Sequence, residues 1–352
     1  MFLKIHQYAL KVINASLLCS CLLGCADQTP LLQPHRGLSL LSPEIKSEIE
    51  KVERSVVGIN TELTYEIQRF EYLIKNGELV ADPTSPLKYK LATNGKGIKV
   101  ETDKRTLSGG GLIIDIDHMN SKYTILTSSH LVSPEDSTDI YYVDEKGAKT
   151  DILFSRYLLK FKRISVRSGS AWSAEAEIIS DSPKSDLAII RAETNHGLGK
   201  EFENEMGYNI NLSWGDWVFL FGYPKGIKQL TGGWVSKSPY PRTRAVDAVV
   251  RFGYSGGPVF SLTKDNTQLA FVGVIKSVPW TNLDYIAPGK TLPVGSSLTS
   301  EDLSDLSVKR EILVNYGTAY FVDGKSIKSF LKSSRNAMND SGISLSPKFY
   351  GN

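Results

Sequence analysis

Short apolar and β-branched runs bounded by turn residues recur along most of this 352-residue chain, and they constrain its fold more than any other feature. They lie at 55–59, 112–114, 123–127, 188–190, 217–221, 245–250 (interrupted by Asp247) and 271–275. No alternation of strand with helix separates them, so the pattern predicts a sandwich or barrel rather than a parallel sheet. Helix signals stand only at the ends. Ser42-Pro43-Glu44 offers a capping hydroxyl, a proline and an acid, and Ile45, Ile49, Val52 and Val56 follow at helical spacing. Asp323-Gly324 precedes Ile327, Phe330 and Leu331, the spacing of a closing amphipathic helix.

The first residues read as an export leader. Lys4 and Lys11 precede an apolar run at 12–23 that is too short for an ordinary transmembrane helix. The run ends in Leu22-Leu23-Gly24-Cys25, which resembles a bacterial lipobox. That resemblance implies cleavage before Cys25, a diacylglyceryl group on its sulfur and a membrane-anchored chain. Ala26, in place of an inner-membrane retention aspartate, favours the outer membrane or cell surface. A plain signal peptide with an accidental cysteine is the alternative. The three cysteines, Cys19, Cys21 and Cys25, all lie in this leader. The mature chain therefore forms no internal disulfide and no Cys-ligated zinc site.

The expected organisation is a signal peptide at 1–24, a lipidated tether at 25–41, a folded domain at 42–335 divided near 195–215, and a tail at 336–352. Polar or charged stretches at 66–107, 144–172 and 278–312 read as surface excursions. The basic stretch at 144–172 is a solvated face on the simpler reading and a substrate or membrane contact on the sharper one. A net charge of +3, with 22% charged residues, does not suggest nucleic acid as a partner. No metal or organic cofactor is called for. Asp115, Asp117 and His118 are better explained by a hairpin turn than as metal ligands.

Chemistry concentrates in Gly253-Tyr254-Ser255-Gly256-Gly257-Pro258. A serine hydroxyl is a poor nucleophile until a neighbouring base takes its proton. Among five histidines, His130 alone directly follows an apolar strand, within Thr127-Ser128-Ser129-His130. Between it and Ser255, Asp186 opens another apolar run, where it can orient an imidazole or simply form a turn.

Taken together, these three stretches resemble the chymotrypsin-fold, trypsin-like serine proteases, most closely the Deg/HtrA-type branch. Thr-x-x-His, Asp-Leu-Ala and Gly-x-Ser-Gly-Gly-Pro occur in that family's order. Ser108–Ile113 resembles its glycine-rich strand, Phe221–Pro224 its Gly-x-Pro turn and Val246-Asp247-Ala248 its Thr-Asp-Ala segment. The resemblance implies an all-β fold of two packed antiparallel six-stranded β-barrels, with a short N-terminal helix and a C-terminal helix. It implies a serine endopeptidase with His130, Asp186 and Ser255 as catalytic residues and the Gly253 and Ser255 N–H groups as oxyanion hole. Its substrates would be exported or envelope proteins or peptides. Val249, Val250, Val274 and Ile275 would form an apolar substrate pocket for small or medium aliphatic side chains. Too few residues follow the closing helix for a PDZ domain.

Tyr254 departs from the pattern, which usually has Asp or Asn there. A tyrosine cannot pair with a freshly cut amino terminus, so activation by N-terminal insertion is not expected. The same departure motivates the alternative of a catalytically inactive protease-fold lipoprotein that binds peptides or a protein partner. An α/β-hydrolase is excluded because it needs a histidine after the serine, and none follows Ser255. A subtilisin-like order through Asp115 or Asp117 lacks the required α/β pattern.

Overall fold

The computed structural model describes residues 42–351 apart from 77, 93–97, 145–146, 170–171, 289–291, 293–294, 298 and 305. The expected leader, Cys25 and the tether lie outside the described residues. Two units divide between Lys46 and Ser47. Of the first, only residues 42–46 are described, and they begin helix α1 (Pro43–Glu53). Within that turn Ser42 Oγ accepts the Ile45 N–H at 3.4 Å.

The second unit contains two closed barrels. The first uses β1 (Val56–Phe70), β4 (Ile98–Asp117), β5 (Lys122–Thr127), β7 (Lys149–Ser168), β8 (Trp172–Ser182) and β9 (Leu187–Glu193). Their order is β1-β4-β5-β9-β8-β7, and an antiparallel β1–β7 pairing closes the ring. β6 (Ser137–Val143) adds to the free side of β7, and β2 (Ile74–Lys75) with β3 (Glu78–Leu79) forms a small hairpin. The second barrel closes as β10 (Trp217–Gly222), β11 (Gln229–Ser236), β12 (Thr243–Asp247), β17 (Ala319–Asp323), β14 (Leu269–Ser277) and β13 (Pro258–Leu262). Closure pairs the strand edges that an open sheet would leave free.

Each barrel encloses its own core. Val57, Ile59, Ile113, Ile125, Leu131 and Ile190 fill the first, and Val218, Leu220, Val246, Val259, Ile275 and Phe321 the second. Period-two alternation supplies them. Along β1, Ile59, Thr61, Leu63, Tyr65 and Ile67 are buried while the residues between them are more open. The expected all-β, two-barrel fold is the observed one.

Each of the three expected surface excursions contains strand, and the one at 144–172 is mostly strand. β1 and β4 stay paired out to Phe70 and Ile98, beyond the barrel wall. Most of the basic stretch is β7, whose cations face carboxylates on adjacent strands. Arg156 makes a two-pronged contact with Asp139 at 2.7 and 2.8 Å, Arg163 meets Glu175 at 3.1 Å and Lys160 meets Glu66 at 3.5 Å. Such exposed pairs add little stability, because solvent screens them. They do account for the basic residues as one side of a charged ladder. Likewise β15 (Trp280–Pro288) and β16 (Leu306–Val314) pair into a ribbon outside the second barrel, and α3 (Ser300–Ser304) lies between them in sequence.

At the C-terminal side, Asp323 Oδ1 accepts the Ser326 N–H at 2.9 Å and caps α4 (Gly324–Ser333). The residues expected as a tail are packed. α5 (Arg335–Asp340) carries the fully buried Met338, Phe349 is also fully buried, and the Tyr208 hydroxyl donates to the Phe349 carbonyl at 2.8 Å.

Candidate active site

β5 ends inside the first barrel at Thr127 and passes directly into the single turn α2 (Ser129–Val132). Leu131 and Val132 are buried in the barrel core, which turns His130 outward, with its side chain 44% exposed. The partner that orients it arrives from the turn before β9. Asp186 adopts a left-handed φ of 55°, a conformation that aspartate tolerates better than most residues. Its carboxylate is nearly closed from solvent. Oδ1 and Oδ2 lie 2.9 and 3.0 Å from His130 Nδ1, and Oδ1 also accepts the His130 backbone N–H at 3.0 Å. A buried carboxylate is costly unless its lone pairs are used, and here both oxygens are engaged. The arrangement places the proton on Nδ1 and leaves Nε2 free to act as a base.

Ser255 sits between two barrels at the point where the glycines let them touch. Gly110 of β4 donates its N–H to the Ser255 carbonyl at 2.8 Å, and Thr127 Oγ1 donates to the Gly110 carbonyl at 2.8 Å. A Cβ at Gly110 would approach Gly257 Cα to 3.0 Å, and one at Gly256 would approach Leu131 Cδ1 to 3.0 Å and run into Thr127 Oγ1. On its other side the loop is tied to the second barrel: Gly256 N–H donates to the Ile275 carbonyl at 2.8 Å, and Ile275 N–H donates to Gly257 at 2.9 Å. The Ser255 loop is thus held against both β4, which pairs with the strand leading to His130, and β14. Among the described residues no hydrogen bond joins Ser255 Oγ to the His130 ring.

Gly253 has a φ of 105°, and a Cβ there would come within 2.5 Å of Pro224 Cα. Only glycine suits that combination. Its carbonyl accepts the Tyr223 N–H at 2.7 Å, whereas the Gly253 and Ser255 N–H groups meet no acceptor among the described residues.

Tyr254 is not at the surface of this loop. It is 2% exposed and belongs to the second barrel's core cluster, with its ring over Gly222, where a Cβ would come within 2.5 Å of Tyr254 Cδ1. Burial pushes its hydroxyl pKa up. The tyrosine anchors the Ser255 loop by apolar packing, at the position where the resembling family usually has a polar residue. Of the four valine and isoleucine positions expected to line a substrate pocket, Val250, Val274 and Ile275 are buried, Val250 and Ile275 in the second barrel's core, and Val249 is 63% exposed.

Two contributions were not legible as chemistry. Thr127 bridges the glycine strand to the Ser255 loop, and Tyr223 packs beside it while its hydroxyl donates to the Val56 carbonyl at 3.2 Å. Both stand in short motifs, but their partners lie far away in sequence. Asp117, by contrast, does what a turn predicts, accepting N–H groups from Met119 and Asn120 at 3.0 and 3.1 Å between β4 and β5.

Residues 109–274 match the family described as "Trypsin-like peptidase domain". The curated "Probable periplasmic serine endoprotease DegP-like" of Pseudomonas fulva (strain 12-X) is 29% identical over 133 residues. That alignment spans 33% of this chain and 27% of the relative, so only about a quarter of the relative's length is represented. Among solved structures, "HtrA-type protease AlgW with decapeptide" aligns over 84% of this chain and 67% of its own, with 14% identity and a TM-score of 0.42. His130, Asp186 and Ser255 all fall within the segment that matches this trypsin-like peptidase family.

Proposed function

We propose that this protein is a serine endopeptidase that hydrolyses peptide bonds through an acyl-enzyme intermediate. The observation that carries the reading is the buried Asp186 carboxylate gripping His130 Nδ1, with a Ser255 loop whose glycine turn leaves two N–H groups without acceptors among the described residues. His130 Nε2 takes the Ser255 proton as Oγ adds to the substrate carbonyl. The oxyanion then draws on the Gly253 and Ser255 N–H groups, each such donor being worth about 3 kcal/mol in the transition state. Asp186 balances the imidazolium that forms, without itself becoming protonated. His130 delivers its proton to the leaving amine, and the acyl group stays on Ser255. Water, deprotonated by His130, then releases the acid and restores the serine. For the apolar substrate preference, Val249 is the expected residue open to contact, with Val250, Val274 and Ile275 shaping the wall from within.

The test is labelling of the folded chain by a fluorophosphonate probe, which reacts with a serine whose proton is being withdrawn. The wild type is expected to label and Ser255→Ala is expected not to. A wild type that stays unlabelled would remove the endopeptidase reading and leave a protease-fold binding protein.

The reading includes the cell envelope as the place of action, supported by the word "periplasmic" in the relative's description and by the leader-like residues before Cys25. Among the described residues no helix is long and apolar enough to cross a membrane. Anchoring is assigned to a lipid on Cys25, with residues 25–41 as the tether. Mass analysis of the mature N-terminus from cells is expected to find a diacylglyceryl-modified Cys25; a free Cys25 thiol would reject the anchor.

A further inference from the structure

A cleft of about 560 Å³ opens between the turn that carries Asp186, the start of β12, the end of β14 and the side of α4 that carries Ser326, Ser329 and Phe330. Its polar lining has one sign. Lys184, Arg242 and Lys276 face it together with Ser185, Ser326 and Ser329, and no carboxylate lines it. None of the three cations has an ion pair among the described residues. Three like charges around one concavity repel each other, so the arrangement is stabilised by an anion entering it.

Two further features favour a ligand. Ser326 is 7% exposed, and its buried Oγ has no hydrogen-bond partner, although buried hydroxyls are ordinarily satisfied. Lys276 sits at an irregularity in the β14–β17 ladder, where Ile275 pairs with Phe321 and Ser277 with Tyr320, so Lys276 is left without an opposite residue. Such bulges re-aim a side chain out of the regular alternation. Arg242, at a left-handed φ of 60°, is likewise presented by a tight turn.

The position indicates the ligand. Ser185 directly precedes Asp186, and Lys276 directly follows Ile275, whose backbone holds the Ser255 loop. The volume is many times the roughly 30 Å³ of a water molecule, so the cleft has room for a peptide side chain with some of its backbone. Building on the endopeptidase reading, we propose that this cleft binds a carboxylate side chain of the substrate polypeptide and so selects acidic residues within a few positions of the scissile bond.

The experiment uses the full chain and pairs of peptides that differ only in Glu against Gln or Asp against Asn near the cleaved bond, taken from a cleaved protein substrate. The acidic member is expected to have a kcat/KM about tenfold higher, the scale of a hydrogen bond to a charged group, and to lose that advantage at high salt. Lys184→Gln and Arg242→Gln are expected to bring the two members together, while fluorophosphonate labelling of Ser255 stays at the wild-type rate. Equal kcat/KM for both members with labelling intact would overturn the cleft assignment and leave the endopeptidase reading standing. Absence of labelling would instead strike that reading. The cleft would then be judged by anisotropy of the same peptides on the unlabelled chain, where equal binding of both members overturns it. Full displacement of the peptide by an equal concentration of inorganic phosphate would also overturn it, by showing a site for free anions.

Discussion

Asp186→Asn is expected to lower kcat/KM for peptide hydrolysis by about four orders of magnitude, the size of effect seen when an orienting carboxylate is neutralised in such a triad. Geometry explains why so small a change should matter. Both carboxylate oxygens lie within 3.0 Å of His130 Nδ1, and Oδ1 accepts the His130 backbone N–H as well. An asparagine can keep the backbone bond with its carbonyl oxygen, but its amide must then face Nδ1. The imidazole responds by placing its proton on Nε2, which can no longer take one from Ser255. The loss should fall on kcat more than on KM and should slow fluorophosphonate labelling in step, because both depend on withdrawing the same proton. Hydrolysis within tenfold of wild type would mean that His130 is not the base. Since the substitution nearly preserves volume, unfolding measurements should separate this loss from a folding defect.

Tyr254→Asp should be the most damaging single change to stability, costing about 3–5 kcal/mol, because it leaves an uncompensated charge in an apolar interior. Tyr254 is 2% exposed, among the second barrel's core side chains and against Gly222. Restoring the aspartate usual in the resembling family therefore returns no ion pair here, while it also opens the space that the ring fills. The sign of the pH dependence follows. Burial raises the carboxyl pKa in the folded variant, so the folded state holds its proton to higher pH than the unfolded chain does. Stability is then lost progressively as pH rises above the unfolded value of about 3.9, and the defect is larger at neutral pH than in mild acid. Tyr254→Phe keeps the ring and is expected to stay within about 1 kcal/mol of wild type. Urea unfolding of the two variants at both pH values checks this. An aspartate variant as stable as the phenylalanine one would mean that Tyr254 does not anchor the loop.

These two positions also differ in how far they could be read in advance. The pairing of Asp186 with His130 is legible because it follows from residue type and order: an aspartate at the mouth of an apolar strand, after a histidine at a strand end and before a glycine-flanked serine. Tyr254 is legible only as an oddity. Whether a tyrosine in a glycine-rich turn faces water or core depends on what lies behind it, and what lies behind it is Gly222, distant in sequence. The charged ladders of β1, β4 and β7 were hidden for a related reason. Most residues of β4 at 98–107 and of β7 at 149–163 are not buried, so period-two alternation disappears there although β1 beside them keeps it to Ile67, and β preference depends on context more than on intrinsic propensity. The packing of the C-terminal segment is not legible in the sequence, because its buried residues Met338, Ile343, Leu345 and Phe349 follow no single period.

The sequence by itself determined the all-β class, the order of His130, Asp186 and Ser255, the capped helices at both ends and the need for glycine at the Ser255 turn. All of these rest on local backbone preferences and short-range hydrophobic patterns, which few residues suffice to express. Tertiary structure alone decided which carboxylate oxygens reach His130, which side of the Ser255 loop carries Tyr254, and that three cations from separate segments share one cleft. Those outcomes depend on barrel closure and strand register, which bring together residues tens of positions apart. They are set by the packing of whole strands rather than by the preferences of any one residue.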